Sequence, residues 1–132
     1  MFLQIVTAIF LILHGLVHLL WVVVPWQITE VDGLPYQTTI FAGRLDVHKN
    51  GIKFMGLLWI IPTLCFVLAG IGLLFSASWW WALTLGAALF SLLLNLIQLP
   101  ESKWGATINL LIIAVLWLGA QYHLTFLPFN IF

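Results

Sequence analysis

Four long apolar runs, residues 2–24, 51–75, 78–99 and 106–122, leave this chain few folds to adopt. A hydrocarbon core of roughly 30 Å takes about 20 helical residues to cross, and inside it every backbone amide and carbonyl must be paired within the protein. Only 6% of the 132 residues are charged and 64% are hydrophobic, whereas a soluble domain is about a quarter charged. A water-soluble fold is therefore excluded. The expected fold is all-α: a polytopic membrane protein, an antiparallel four-transmembrane-helix bundle, forming a single membrane domain over residues 1–132 with a long loop at 25–50.

The first run is expected to be a retained span and not a secretory signal. No Lys or Arg precedes it, and it ends in Pro25, Trp26 and Gln27 instead of a small-residue cleavage site. The single cysteine, Cys65, lies inside the second run, so no intramolecular disulfide forms and dithiol redox chemistry is disfavoured. Net charge is zero with no basic run, which gives nucleic acid no electrostatic footprint. The partner implied by composition is the lipid bilayer, with a second copy or another membrane protein compatible with it.

Four spans place the loop 25–50 and the loop 100–105 on one side. All four basic residues, Arg44, Lys49, Lys53 and Lys103, fall there or at its edge, and the acidic residues Glu30, Asp32, Asp46 and Glu101 accompany them. Loops rich in Lys and Arg stay cytoplasmic, so the chain is expected in the bacterial inner (plasma) membrane as a multi-pass protein with both termini outside. Trp79, Trp80 and Trp81 open the third span at the outer boundary and Tyr122 closes the fourth, where amphipathic rings act as interface anchors.

Apolar side chains suit both lipid and protein, so the informative signal is the face that carries small and polar residues. Steps of three and four residues keep to one helical seam. On the first span that seam reads Gln4, Thr7, Leu11, His14, His18, Trp21; on the second, Lys49, Lys53, Gly56, Ile60, Thr63, Val67, Gly70; on the third, Thr84, Ala88, Ser91, Asn95, Gln98; on the fourth, Ala106, Asn109, Ile113, Ala120. Converging seams would gather His14, His18, Asn95 and Asn109 into a polar cluster in the cytoplasmic half, with Lys53 and Gln98 at its mouth. Depth counted at about 1.5 Å per residue levels His18 with Asn95 and Asn109 and puts His14 one turn deeper. Pro62 is expected to kink the second span, because it has no N–H for the carbonyl of Leu58.

The pair in "LHGLVHLL" frames the functional alternatives. Imidazoles at i and i+4 share a face, which suits one metal ion held by His14 and His18, but a closed site asks for two more ligands. A bis-histidine haem needs an opposing imidazole, and the only other histidine near a helix end is His123. Intramembrane ionisable groups also line ligand or proton paths. No cofactor is assigned from the sequence. Nor are catalytic residues, since the chain has no nucleophile elbow, phosphate loop or HExxH pattern. In the loop, Gly33, Pro35 and Gly43 mark turns, Asp46 is expected to cap the next helix, and Arg44 to pair with Asp46. The loop is expected to act as a lid over the polar cluster.

The segments "HGLVHLLW", "GLPYQTTIFAGRLDV", "GIKFMGLLW" and "WGATINLLI" together resemble a group of small bacterial four-span membrane proteins that have no established activity. His48 to Asn50 departs from the pattern. The resemblance implies a four-span membrane fold, and members are sometimes labelled transporter permeases. The leading expectation is a non-enzymatic module that binds a ligand, assists transport or supports a partner. The alternatives are a metal- or haem-binding membrane protein and a membrane enzyme acting on a lipid or quinone.

Overall fold

A computed structural model describes residues 1–122, so His123 lies outside the described residues. The elements run α1 (Phe2–Val17), α2 (Leu20–Val23), β1 (Thr39–Ile40), β2 (Leu45–Asp46), α3 (His48–Leu58), α4 (Ile60–Leu74), α5 (Trp80–Ile97) and α6 (Lys103–Tyr122). α1 continues into α2 and α3 into α4, which makes four helices among the described residues long and apolar enough to cross a membrane: Phe2–Val23, His48–Leu74, Trp80–Ile97 and Lys103–Tyr122. The second is the longest at 27 residues, about 40 Å, because His48 and Lys49 are already helical.

The first long helix lies antiparallel to the second, and the contacts between them are set by glycine. A methyl group on Gly70 would come within 2.8 Å of the Ala8 carbonyl, and one on Gly15 within 3.0 Å of the Thr63 carbonyl, so the two backbones touch where they cross. Small residues permit such close approach in place of side-chain interdigitation. Gln4 Nε2 fastens one end by donating to the Leu73 carbonyl at 2.6 Å, and Trp26 Nε1 fastens the other by donating to the Lys53 carbonyl at 3.0 Å. α4 then packs on α5, and α5 on α6.

The first and second long helices are interrupted, the first close to its loop-side end and the second near mid-length. Around His18 the ladder tightens to i→i−3 bonds: His18 N–H donates to Gly15, Leu19 to Leu16, Trp21 to His18 and Val22 to Leu19. Around Trp59 the break falls three residues before Pro62, where the missing proline N–H leaves the ladder short; Trp59 N–H reaches back to Gly56, and Thr63 Oγ1 donates to the Trp59 carbonyl at 2.8 Å. The helix expected to kink at Pro62 is thus interrupted at Trp59.

Two apolar clusters fill the interior. One, toward Met1, joins Ala8, Leu11, Phe66, Ala69, Leu73 and Trp80 with residues of α5 and α6; the other, toward the long loop, joins Ile40, Ile52, Met55, Trp59 and Leu94. Of the three consecutive tryptophans, Trp79 is exposed as an interface anchor would be, while Trp80 turns into the core.

The long loop folds back on the bundle end. β1 and β2 pair antiparallel, with Thr39 opposite Asp46 and Ile40 opposite Leu45, and the Phe41 N–H donates to the Ile97 carbonyl at 2.9 Å. Phe41 and Ala42 adopt positive φ (52° and 55°), a conformation disfavoured for L side chains and held here by docking on α5. The cap of α3 is Val47 and not Asp46. Asp46 sits one residue earlier and accepts the His48 N–H at 2.8 Å, while its other oxygen lies 3.5 Å from His48 Nδ1; this takes the place of the expected pair with Arg44. The His48 amide and the Thr38 hydroxyl hold the Asp46 carboxyl below its ordinary pKa.

Candidate functional site: a polar chain across the bundle

The histidines lie at the boundary between the two apolar clusters. Spacing of four residues turns both toward the interior, where His14 is 7% and His18 3% exposed. His14 Nε2 lies 3.1 Å from Asn109 Oδ1 in α6; the amide oxygen accepts, so Nε2 carries the proton. The His14 ring stacks on Phe10 (5.8 Å, 8° between planes) and meets Phe66 edge-on (4.8 Å, 79°).

His18 is held by rings alone. It stacks on Trp59 at 5.1 Å and on Phe66 at 5.5 Å, and meets His14 edge-on at 4.8 Å. Neither of its ring nitrogens has a hydrogen-bond partner among the described residues. Trp59 continues the chain, donating from Nε1 to Gln98 Oε1 at 2.5 Å, where Gln98 closes the end of α5. A sequence of contacts, Asn109 to His14 to His18 to Trp59 to Gln98, therefore touches all four long helices.

Asn95 lies one turn before Gln98 on the same face of α5. Its carbonyl accepts from Ser102 Oγ at 2.5 Å and its side chain lies against Gly105, where an added methyl would come within 2.6 Å of Oδ1. Both Asn95 side-chain polar atoms and Asn109 Nδ2 are buried with no hydrogen-bond partner among the described residues. Buried amides and imidazoles normally find partners, since leaving one unpaired costs about 1–3 kcal/mol. Three such side chains on three helices make this the polar anomaly of the fold.

The expected site residues divide accordingly. His14, His18, Asn109 and Gln98 fall in one chain, and Asn95 is buried beside it. Lys53 goes elsewhere: its ammonium lies over the Trp26 ring, 5.1 Å from the centroid. His14, not His18, is level with Asn109, so helix-depth counting placed the first span about one turn out. Among the described residues no three His, Cys, Asp or Glu side chains gather as metal ligands would. The loop covers the Gln98 end, with Leu34, Pro35, Tyr36 and Thr39 enclosing a small cavity beside it.

No family model, curated protein or solved structure matches this chain. The site's own geometry therefore carries the functional argument. Three contributors escaped the seam analysis: Trp59, Phe66 and Gly105. Trp59 and Phe66 stand four and three residues from Thr63, on its own seam, but the sequence analysis gave those places to Ile60 and Val67. Gly105 stands four residues before Asn109, a spacing that marks the α6 face on which Asn95 rests.

Proposed function

We propose that this is a small integral membrane protein of the bacterial inner membrane, and that it acts as a non-enzymatic ligand-binding module whose site is the polar chain of His14, His18, Asn95, Asn109 and Gln98. The observation that carries the proposal is the burial of His18 with neither nitrogen hydrogen-bonded. An imidazole kept only to join helices would have its nitrogens paired, as the Nε2 of His14 is. A phenyl ring would fill the same stack without a desolvated polar group, so the nitrogens are retained for something other than packing. The resemblance to small four-span bacterial proteins, some labelled permeases, supports a ligand-handling role. The collection of basic residues at the loop end supports an orientation with both termini outside the cytoplasm.

The test is His18→Phe, which preserves the stack on Trp59 and Phe66. The purified wild type is expected to carry a stoichiometric small molecule detectable by mass spectrometry of its extract, and the variant to lose it while unfolding at an equal or higher temperature. A variant that melts lower, with no bound molecule in either protein, would return His18 to a purely structural role.

A further inference from the structure

The polar chain is closed on most sides. Toward Met1 the first apolar cluster seals it, and at the height of the histidines α1 and α4 touch backbone to backbone at Gly15. An apolar groove of about 290 Å³ opens sideways between α1 and α6, but neither histidine nor Asn109 lines it. The loop end differs. There a cavity of about 20 Å³, room for roughly one water molecule, is bordered by Trp21 and Gln98. Both side chains touch Trp59, the ring on which His18 stacks. From this end, a molecule larger than water reaches His18 only when the outer wall of that cavity moves.

That wall is built by Leu34, Pro35, Tyr36, Gln37 and Thr39 of the long loop, and the structure holds it lightly. β1 and β2 pair through two residues each, and an isolated two-stranded ribbon is marginal in water. The segment is tied to the helices by the Phe41 N–H bond to the Ile97 carbonyl and by Ile40, buried among Ile52, Met55, Trp59 and Leu94. Backbone strain sits at the same tether. Phe41 and Ala42 both take positive φ, a conformation that release from α5 would let them leave. Gly33 and Gly43 bracket the segment at φ 79° and 81°, and an added methyl on either would meet nothing within 4 Å. Glycines in open space absorb a change of backbone angle without steric cost.

We propose that residues 34–42 form a gate that swings at Gly33 and Gly43, peels β1 from β2 and frees Ile40 and Phe41 from the helices. The open gate admits a small polar molecule from the loop side, past Trp59 to His18. The inference rests on the ligand-binding role proposed above and adds its route and its moving part.

The experiment follows carbethoxylation of His18 by diethyl pyrocarbonate, a small reagent that acylates an unprotonated imidazole nitrogen, in the full chain in phosphatidylcholine nanodiscs, with sites read by mass spectrometry. Phe41→Cys with Ile97→Cys, in a Cys65→Ser background, places a disulfide across the tether, and Ile40→Ser weakens it. His48, whose side chain is 84% exposed, serves as the reference rate. Oxidation of the cysteine pair is expected to slow His18 by about tenfold, with the rate restored on reduction, and Ile40→Ser to speed it by about threefold. The disulfide result decides, or Ile40→Ser where the disulfide does not form. An equal His18 rate in the oxidised and reduced protein would overturn the gate and place entry elsewhere, the groove between α1 and α6 included. No reaction at His18 in any form would overturn it too. The ligand-binding role is judged apart, by the molecule extracted from the wild type: a wild type that carries none removes that role and leaves the measured gate standing.

Discussion

A single indole links the two ends of the site. Trp59 stacks on His18 with its ring and donates to Gln98 with its nitrogen, so Trp59→Phe retains the first contact and removes the second. The buried Gln98 oxygen would be left without a partner, at a cost of about 1–3 kcal/mol. Thermal or chemical unfolding in detergent is expected to show the loss, whereas His18→Phe is expected to be neutral or stabilising by about 1 kcal/mol. Opposite signs for two substitutions to the same side chain, one ring apart, would be hard to obtain from packing alone. At the loop end, Asp46 carries a pH dependence. Its pKa is lowered in the folded chain by the His48 amide and the Thr38 hydroxyl, so its contribution is present above the ordinary carboxylate range and lost as pH falls through the lowered value. Protection of the His48 amide, its exchange rate taken relative to the intrinsic rate at each pH, is expected to fall in acid, and Asp46→Ala to show the lower protection already at neutral pH.

Among the elements, the most constrained contact is the crossing of α1 and α4. Gly15 and Gly70 have no room for a methyl, so Gly15→Val or Gly70→Val must push the backbones apart. Overpacking of this kind costs typically 1–3 kcal/mol, measurable as a fall in unfolding midpoint, and Gly86, with open space about it, serves as the neutral control as Gly86→Ala. Elements also show where sequence sufficed. The seams of α1 and α5 were legible because polar residues recur on them at steps of three and four, and His14, His18, Thr84, Ser91, Asn95 and Gln98 are all buried as expected. The second long helix was less legible, because its buried face is marked by Trp59, Phe66 and Met55, and large apolar groups fit lipid and protein equally. Lys53 was placed by its position on the seam, but a long cationic side chain finds its own partner, here the face of Trp26. The unpaired state of His18 and the groove beside α6 could not be read from spacing, since both depend on how far apart two non-consecutive helices stand.

For the molecule as a whole, the distribution of charge predicts its orientation. The basic residues gather at the end that carries the long loop, and none accompanies the first residues of α1 or the start of α5. Alkaline phosphatase fused after residue 132 is expected to be active and the same enzyme inserted after Gly33 inactive, with the reverse result from a fluorescent protein that matures only in the cytoplasm. The two helix interruptions bear on how the interior is divided. Both helices are interrupted at residues whose rings lie face to face, His18 and Trp59, and the apolar interior divides at the same height. That alignment divides the bundle at one level, with the hairpin on one side of it and the closest glycine contact, at Gly70, on the other. His18 and Trp59, where the two helices break, are thus the level at which a substitution reaches both halves of the core at once.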